Sequence, residues 1–266
     1  MNRNTLKFTI LCTVCTLFMV SGCKNLDPVF EDNNGKEQPQ EILTRSGILA
    51  WDYPVKPGME SWNRLETEEE RIAVLQVPES VLATLSPEEA VGLCITFPSF
   101  GHFTAWDTPQ KGFAVMLSRY NILRHLLSRQ DAGGSLIAAY KDADLFGFRT
   151  LPYSNEFWSL KLYYLELLLS QREILQFMTL EEKLELIKEA KLKFFEKLSN
   201  VSFAGFPDIL FSLRIMANIL HVESIGFADE TAIRFIETGW FFDSVPPIEE
   251  IINLTDNYIN AKNEIL

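Results

Sequence analysis

Basic charge is scarce in this 266-residue chain: 24 lysines and arginines stand against 36 acids, a formal net charge of −12. Taken as a whole, such a surface repels phosphate backbones and anionic lipid headgroups alike, which makes nucleic acid a poor partner and assigns membrane attachment to an anchor rather than to a basic patch. Cysteine is scarcer still. Of the four, Cys12 and Cys15 lie in an apolar leader, Cys23 ends it, and only Cys94 remains in the body. A disulfide scaffold is therefore excluded. The three histidines, His102, His125 and His221, stand 23 and 96 residues apart, far from the close spacing a zinc site uses. Glycine-rich phosphate loops and the G-x-S-x-G nucleophile elbow are missing as well. Asp142-x-Asp144-x-x-Gly147 starts like a calcium loop but puts Phe146 and Tyr153 where oxygen ligands belong. No metal and no cofactor is implied.

What is present begins at the N-terminus. Arg3 and Lys7 precede an apolar stretch from Phe8 to Val20, followed by Ser21 and Gly22. This is the layout of a secretory signal, and the stretch falls short of the ~20 residues a permanent membrane helix needs. The segment Val20-Ser21-Gly22-Cys23 resembles the lipobox of bacterial lipoproteins: an aliphatic residue, two small residues, then cysteine. The resemblance implies cleavage before Cys23 and acylation of that residue, whose two or three chains would hold the protein stably to a lipid bilayer. It also implies, from Lys24 where an aspartate would favour retention in the inner membrane, an outer-membrane destination in a Gram-negative cell. Removal of residues 1–22 takes away Arg3 and Lys7 and leaves 22 bases against 36 acids, a net of −14.

Residues 23–45 are polar, with Asp27, Glu31, Asp32 and Glu37-Gln38-Pro39-Gln40-Glu41, and show no helix or strand period. They read as a flexible tether with a reach of roughly 25 Å. Residues 46–66 hold Trp51, Tyr53, Pro54, Pro57, Gly58 and Trp62, an irregular lead-in whose aromatics suit packing on the body. The body, 46–266, reads as one all-α domain: a multi-helical globular domain or irregular helical array of about eight or nine helices. Capping signals recur at Thr67, at Ser86-Pro87-Glu88-Glu89, at Thr108-Pro109 and at Thr179-Leu180-Glu181-Glu182, and Asp131 is expected to cap a helix to about Asp142. One helical face runs through Phe113, Met116, Leu117, Tyr120, Leu123 and Leu127. Residues 155–169 and 207–220 are apolar almost all round and predict helices buried on several sides, interrupted by Lys161, Glu166 and Arg214. Residues 180–198 predict an outer helix whose wet face alternates acids and lysines, with Glu189 four before Lys193.

The lead-in Tyr53-Pro54-Val55-Lys56-Pro57-Gly58 with Trp62, and the stretch through Pro98 to Gly112-Phe113, are similar to a family of α-helical proteins secreted by gut-type Gram-negative bacteria. The similarity spans about half the chain. It implies an α-helical fold and supplies no activity.

Two aromatic loops are candidate binding surfaces. The first is 97–107, with Phe100, His102, Phe103 and Trp106. The second is 239–243, with Trp240 and Phe241. Exposed rings on loops make binding platforms, while the plainer alternative folds them into the core. The sequence therefore predicts a non-catalytic interaction or structural module, tied to the bilayer by Cys23 and engaging another envelope protein or a glycan. The alternative is a hydrolase that uses paired carboxylates on envelope or dietary polysaccharide, a chemistry that needs only two acids at a set separation.

Overall fold

The computed structural model describes residues 51–143, 155–199, 206–239 and 247–265. The leader, Cys23, the tether, the calcium-like loop beyond Ala143, and Trp240 and Phe241 lie outside the described residues. Within them the chain is all-helical, with thirteen α-helices, ten of seven residues or more, and no strand. No described helix is long and apolar enough to cross a membrane.

The lead-in forms a short helix, α1 (Glu60–Asn63), and Tyr53 packs into the core against Phe97, with ring centroids 5.9 Å apart. Next come α2 (Glu68–Val74) and the single turn α3 (Glu79–Leu82). Thr67 and Glu70 form a reciprocal capping box at α2. Ser86 and Glu89 do the same for α4 (Pro87–Ile95), with Pro87 in its first turn. Each box satisfies two backbone donors that a helix start would leave bare. Thr108 caps α5 (Pro109–Arg119) through the Lys111 amide.

The apolar stripe that runs on to Leu127 predicts one helix here, and the chain forms two. Tyr120 is extended (φ −113°, ψ 122°), and α6 (Asn121–Ser128) starts anew. The break is a side-chain clamp. Asn121 Oδ1 accepts from the Val77 amide and Nδ2 donates to the Val77 carbonyl, while Gln76 bonds the Asn121 amide and the Arg119 carbonyl. These bonds replace the helix ladder across the corner. Such corners, with the one-turn helices, raise the helix number above eight or nine. The next helix, α7 (Gly133–Asp142), starts without a side-chain cap, because Asp131 is taken by a bidentate pair with Arg129.

The rest of the body wraps one helix. α8 (Asn155–Leu169), the turn α9 (Arg172–Leu175), α10 (Leu180–Ser199), α12 (Glu230–Thr238) and α13 (Ile248–Asn263) all touch α11 (Phe206–Val222). Every α11 residue from Ile209 to Leu220 is buried, which accounts for its lack of a polar face. Thr179 and Glu182 cap α10 as the sequence predicts.

Gly112 shows how tightly the N-terminal half is packed. A Cβ there would lie 1.9 Å from the carbonyl oxygen of Phe103, which is backbone and cannot swing aside. Gly112→Ala should therefore cost more than ~2 kcal/mol in chemical denaturation. Gly226→Ala, where nothing lies within 4 Å, should stay within about 1 kcal/mol of wild type. Equal effects at the two positions would contradict this packing.

Candidate functional site

Four buried polar side chains meet where α7, α8, α10 and α11 converge. Tyr140, Glu166, Lys197 and Ser212 are each 2% exposed or less. Lys197 Nζ donates to both oxygens of Glu166 at 2.7 Å and to Ser212 Oγ at 3.0 Å. Oε1 of Glu166 also accepts from Ser212 Oγ at 2.6 Å and from the Tyr140 hydroxyl at 2.7 Å. Burial, and next the neighbouring Glu166 carboxylate, push Tyr140 well above the ordinary phenol value, so it serves as a donor. One turn back, Lys193 donates to the Ala143 carbonyl at 3.1 Å and lies 3.4 Å from Glu189.

A serine beside a lysine is a nucleophile–base pair in outline, but the hydroxyl here donates to a carboxylate and has no solvent-facing side. The cluster acts as a structural lock. The Glu189–Lys193 spacing is realised, yet Lys193 and Lys197 lie on the buried face of α10 rather than its wet one. Their spacing with Leu186 and Ala190 carries them inward, where Glu166, already flagged in α8, answers Lys197, and Glu189 and the Ala143 carbonyl answer Lys193. Lys197→Met alone leaves Glu166 buried and unpaired, and should cost about 3–5 kcal/mol. Adding Glu166→Leu should recover most of that loss in a double-mutant cycle read by urea denaturation. Additive losses would show that the pair is not coupled.

Arg214 is a second buried ion. Its Nη2 donates to Gln110 Oε1 at 2.6 Å and to the Ile236 carbonyl at 3.3 Å, and Nε and Nη1 have no hydrogen-bond partner among the described residues. Burial lowers its pKa to about 10. Gly239, left-handed at the end of α12, lies against the guanidinium, and a Cβ there would come within 3.0 Å of Nη1.

The 97–107 loop divides in two. Phe97, Phe100 and Phe103 are core residues. Phe100 and Phe103, expected among the candidate surface rings, point inward because α8 offers them Tyr163 and Tyr164, with centroids from 4.6 to 6.0 Å. His102 and Trp106 reach the surface, on a turn of 3₁₀ helix, η1 (Phe100–Ala105), and just after it. Around them runs a band of alternating charge and ring. Arg119 lies over Trp106, with Cζ 5.7 Å from the ring centroid, and forms an ion pair with Glu68. One turn along α2, Arg71 lies 6.0 Å over Trp62. Sequence reading found Trp106 and His102 but missed Arg119 and Glu68, whose pairing bridges 51 residues and leaves no local signal.

Partial desolvation lowers His102 below the ordinary imidazole value; Arg119 acts in the same direction and Glu68 against it. The imidazole is thus held neutral further into the acid range. Arg119→Gln removes the repelling charge and frees Glu68, so the His102 pKa should rise, as followed by NMR titration. A value at or above the usual one in wild type, unmoved in the variant, would contradict this electrostatic picture.

Cys94 is buried on α4, its thiol 3.6 Å from the Ile122 carbonyl, and burial pushes its pKa up, away from thiolate reactivity. Among the described residues, no group of three or more histidine, cysteine or acidic side chains is placed to hold a metal ion.

Comparison with family models, with curated proteins and with solved structures finds no match.

Proposed function

We propose that the chain is a lipid-anchored protein of the cell envelope, held through acylated Cys23 at the outer membrane of a Gram-negative bacterium, whose helical body serves as a non-catalytic interaction or structural module. The anchor rests on Val20-Ser21-Gly22-Cys23 and on the acidic balance, which leaves lipid as the means of attachment. For the body, the observation that carries the reading is Trp106. It is a half-exposed indole beside the exposed His102, on a turn fixed from beneath by the buried Phe100 and Phe103. Rigid amphipathic rings flanked by arginine are the usual anchors of protein contacts, and the same face suits stacking on a sugar.

The deepest described carboxylate, Glu166, is committed to Lys197, Ser212 and Tyr140, which favours the binding reading over paired-acid hydrolysis. The anchor and the surface are separately testable. Cys23→Ala should abolish acyl labelling in cells; persistent labelling would remove the anchor from the proposal. Trp106→Ala, with Arg119→Gln as a second variant, should weaken capture of a glycan or envelope protein by about tenfold or more at unchanged thermal stability. Full capture by both variants would remove this face as the contact.

A further inference from the structure

Cations are scarce here, and most of those in the described body already have a carboxylate, carbonyl or ring to answer. Arg172, like Arg234, does not: it is exposed, and among the described residues its guanidinium forms no ion pair or hydrogen bond. It lines a groove of about 340 Å³ with Gln176, Lys183, His221, Val222 and Ser224. Three elements build that groove: the α9 turn supplies Arg172 and Gln176, the start of α10 supplies Lys183, and the end of α11 supplies the rest.

The end of α11 is shaped in an unusual way. Ser224 has φ 61°, the left-handed conformation glycine adopts freely, and among the described residues it is the one non-glycine residue with positive φ. Its amide donates to the His221 carbonyl at 3.0 Å, and the Ile225 amide donates to the Leu220 carbonyl at 2.9 Å. This closure satisfies the last carbonyls of α11. It leaves the side chains around them free to face the groove.

The local acid does not cancel the cations. Glu223 lies 2.8 Å from Lys183 and 4.0 Å from Lys262, so one carboxylate is shared by two ammonium groups. The negative end of the α11 dipole accounts for part of this basic cluster. It does not account for Arg172, which borders the groove without a partner of its own. Guanidinium, ammonium, amide, imidazole and hydroxyl together form a donor set suited to a tetrahedral oxyanion.

We propose that this groove is a binding site for a phosphate-bearing ligand. Its volume exceeds a bare ion and accommodates a phosphate ester. Two sources share that chemistry: a soluble phosphate ester and a phospholipid headgroup. Phe177, next in the chain after Gln176 and one of few large apolar side chains left exposed, gives the second source a contact for acyl chain. The inference concerns the body and holds whether or not Cys23 is acylated.

The test uses the chain from residue 23 onward carrying Cys23→Ala, so that neither an acyl chain nor the apolar leader adds to binding. Calorimetric titration with inorganic phosphate and with glycerol 3-phosphate is paired with co-sedimentation on phosphatidylglycerol and phosphatidylcholine vesicles. Arg172→Gln should weaken binding about tenfold or more while the thermal midpoint stays unchanged, since the side chain is exposed. Binding of the soluble ligands alone assigns a free ester. Binding of phosphatidylglycerol vesicles that is lost in Arg172→Gln and in Phe177→Ser assigns a headgroup. No binding in either arm, or binding that Arg172→Gln leaves intact, overturns the proposal.

Discussion

A carboxylate carried into a helical core must meet a cation there, and in this protein Glu166 and Lys197 meet that requirement between four helices. An uncompensated charge at that depth costs several kcal/mol, so α8 and α10 tolerate only the register that brings the two together. Ser212 and Tyr140 extend the constraint to α11 and α7, because each bonds Glu166 and each would lose a buried hydrogen bond if its helix slid. Apolar packing alone is more forgiving of small shifts. The ionic cluster thus selects one arrangement among the many that a leucine-rich interior would accept.

That selection sets where function can reside. The C-terminal half is built around α11, whose middle has no exposed face. Its available chemistry sits at its end, where the backbone turns at Ser224 and polar groups of α9, α10 and α11 surround a groove. In the N-terminal half, Phe100 and Phe103 plug the space above α8 and hold the turn that presents His102 and Trp106. Both regions carry polar or amphipathic side chains at the rim, where the proposed recognition role would act. A tether to Cys23 would hold such a body near a membrane without burying it there.

Much of the fold could be read from sequence because its punctuation is local. Ser86-Pro87-Glu88-Glu89, Thr67-Glu70 and Thr179-Glu182 cap helices through side chains three residues apart, and the mainly apolar runs at 155–169 and 207–220 form helices that are largely buried from Leu162 to Leu169 and wholly buried from Ile209 to Leu220. Most of the misreadings share one cause, which is that the deciding partner is distant in sequence. Tyr120 breaks a continuous apolar stripe because Asn121 is claimed by Val77, 44 residues away. Lys193 and Lys197 fit a wet face by pattern, and only Glu166 on another helix makes the inward placement of Lys197 tolerable. Asp131 is the exception: it satisfies the residue preference for a cap but is held by Arg129, only two residues away. Glu166 and Arg214 did register as interruptions, and both mark buried polar sites.

The central claim is that the ionic cluster, rather than the aromatic loop or the lead-in, organises the body. Native-state hydrogen exchange tests it most directly, because it ranks each helix by the opening that exposes it. The account predicts that the slowest-exchanging amides lie in α7, α8, α10 and α11 around the cluster and exchange only through global unfolding. It predicts faster, local exchange in α1, α3 and η1. If the helices that carry Glu166 and Lys197 exchanged by local opening while η1 and α5 stayed protected, the cluster would not be the feature on which this fold depends.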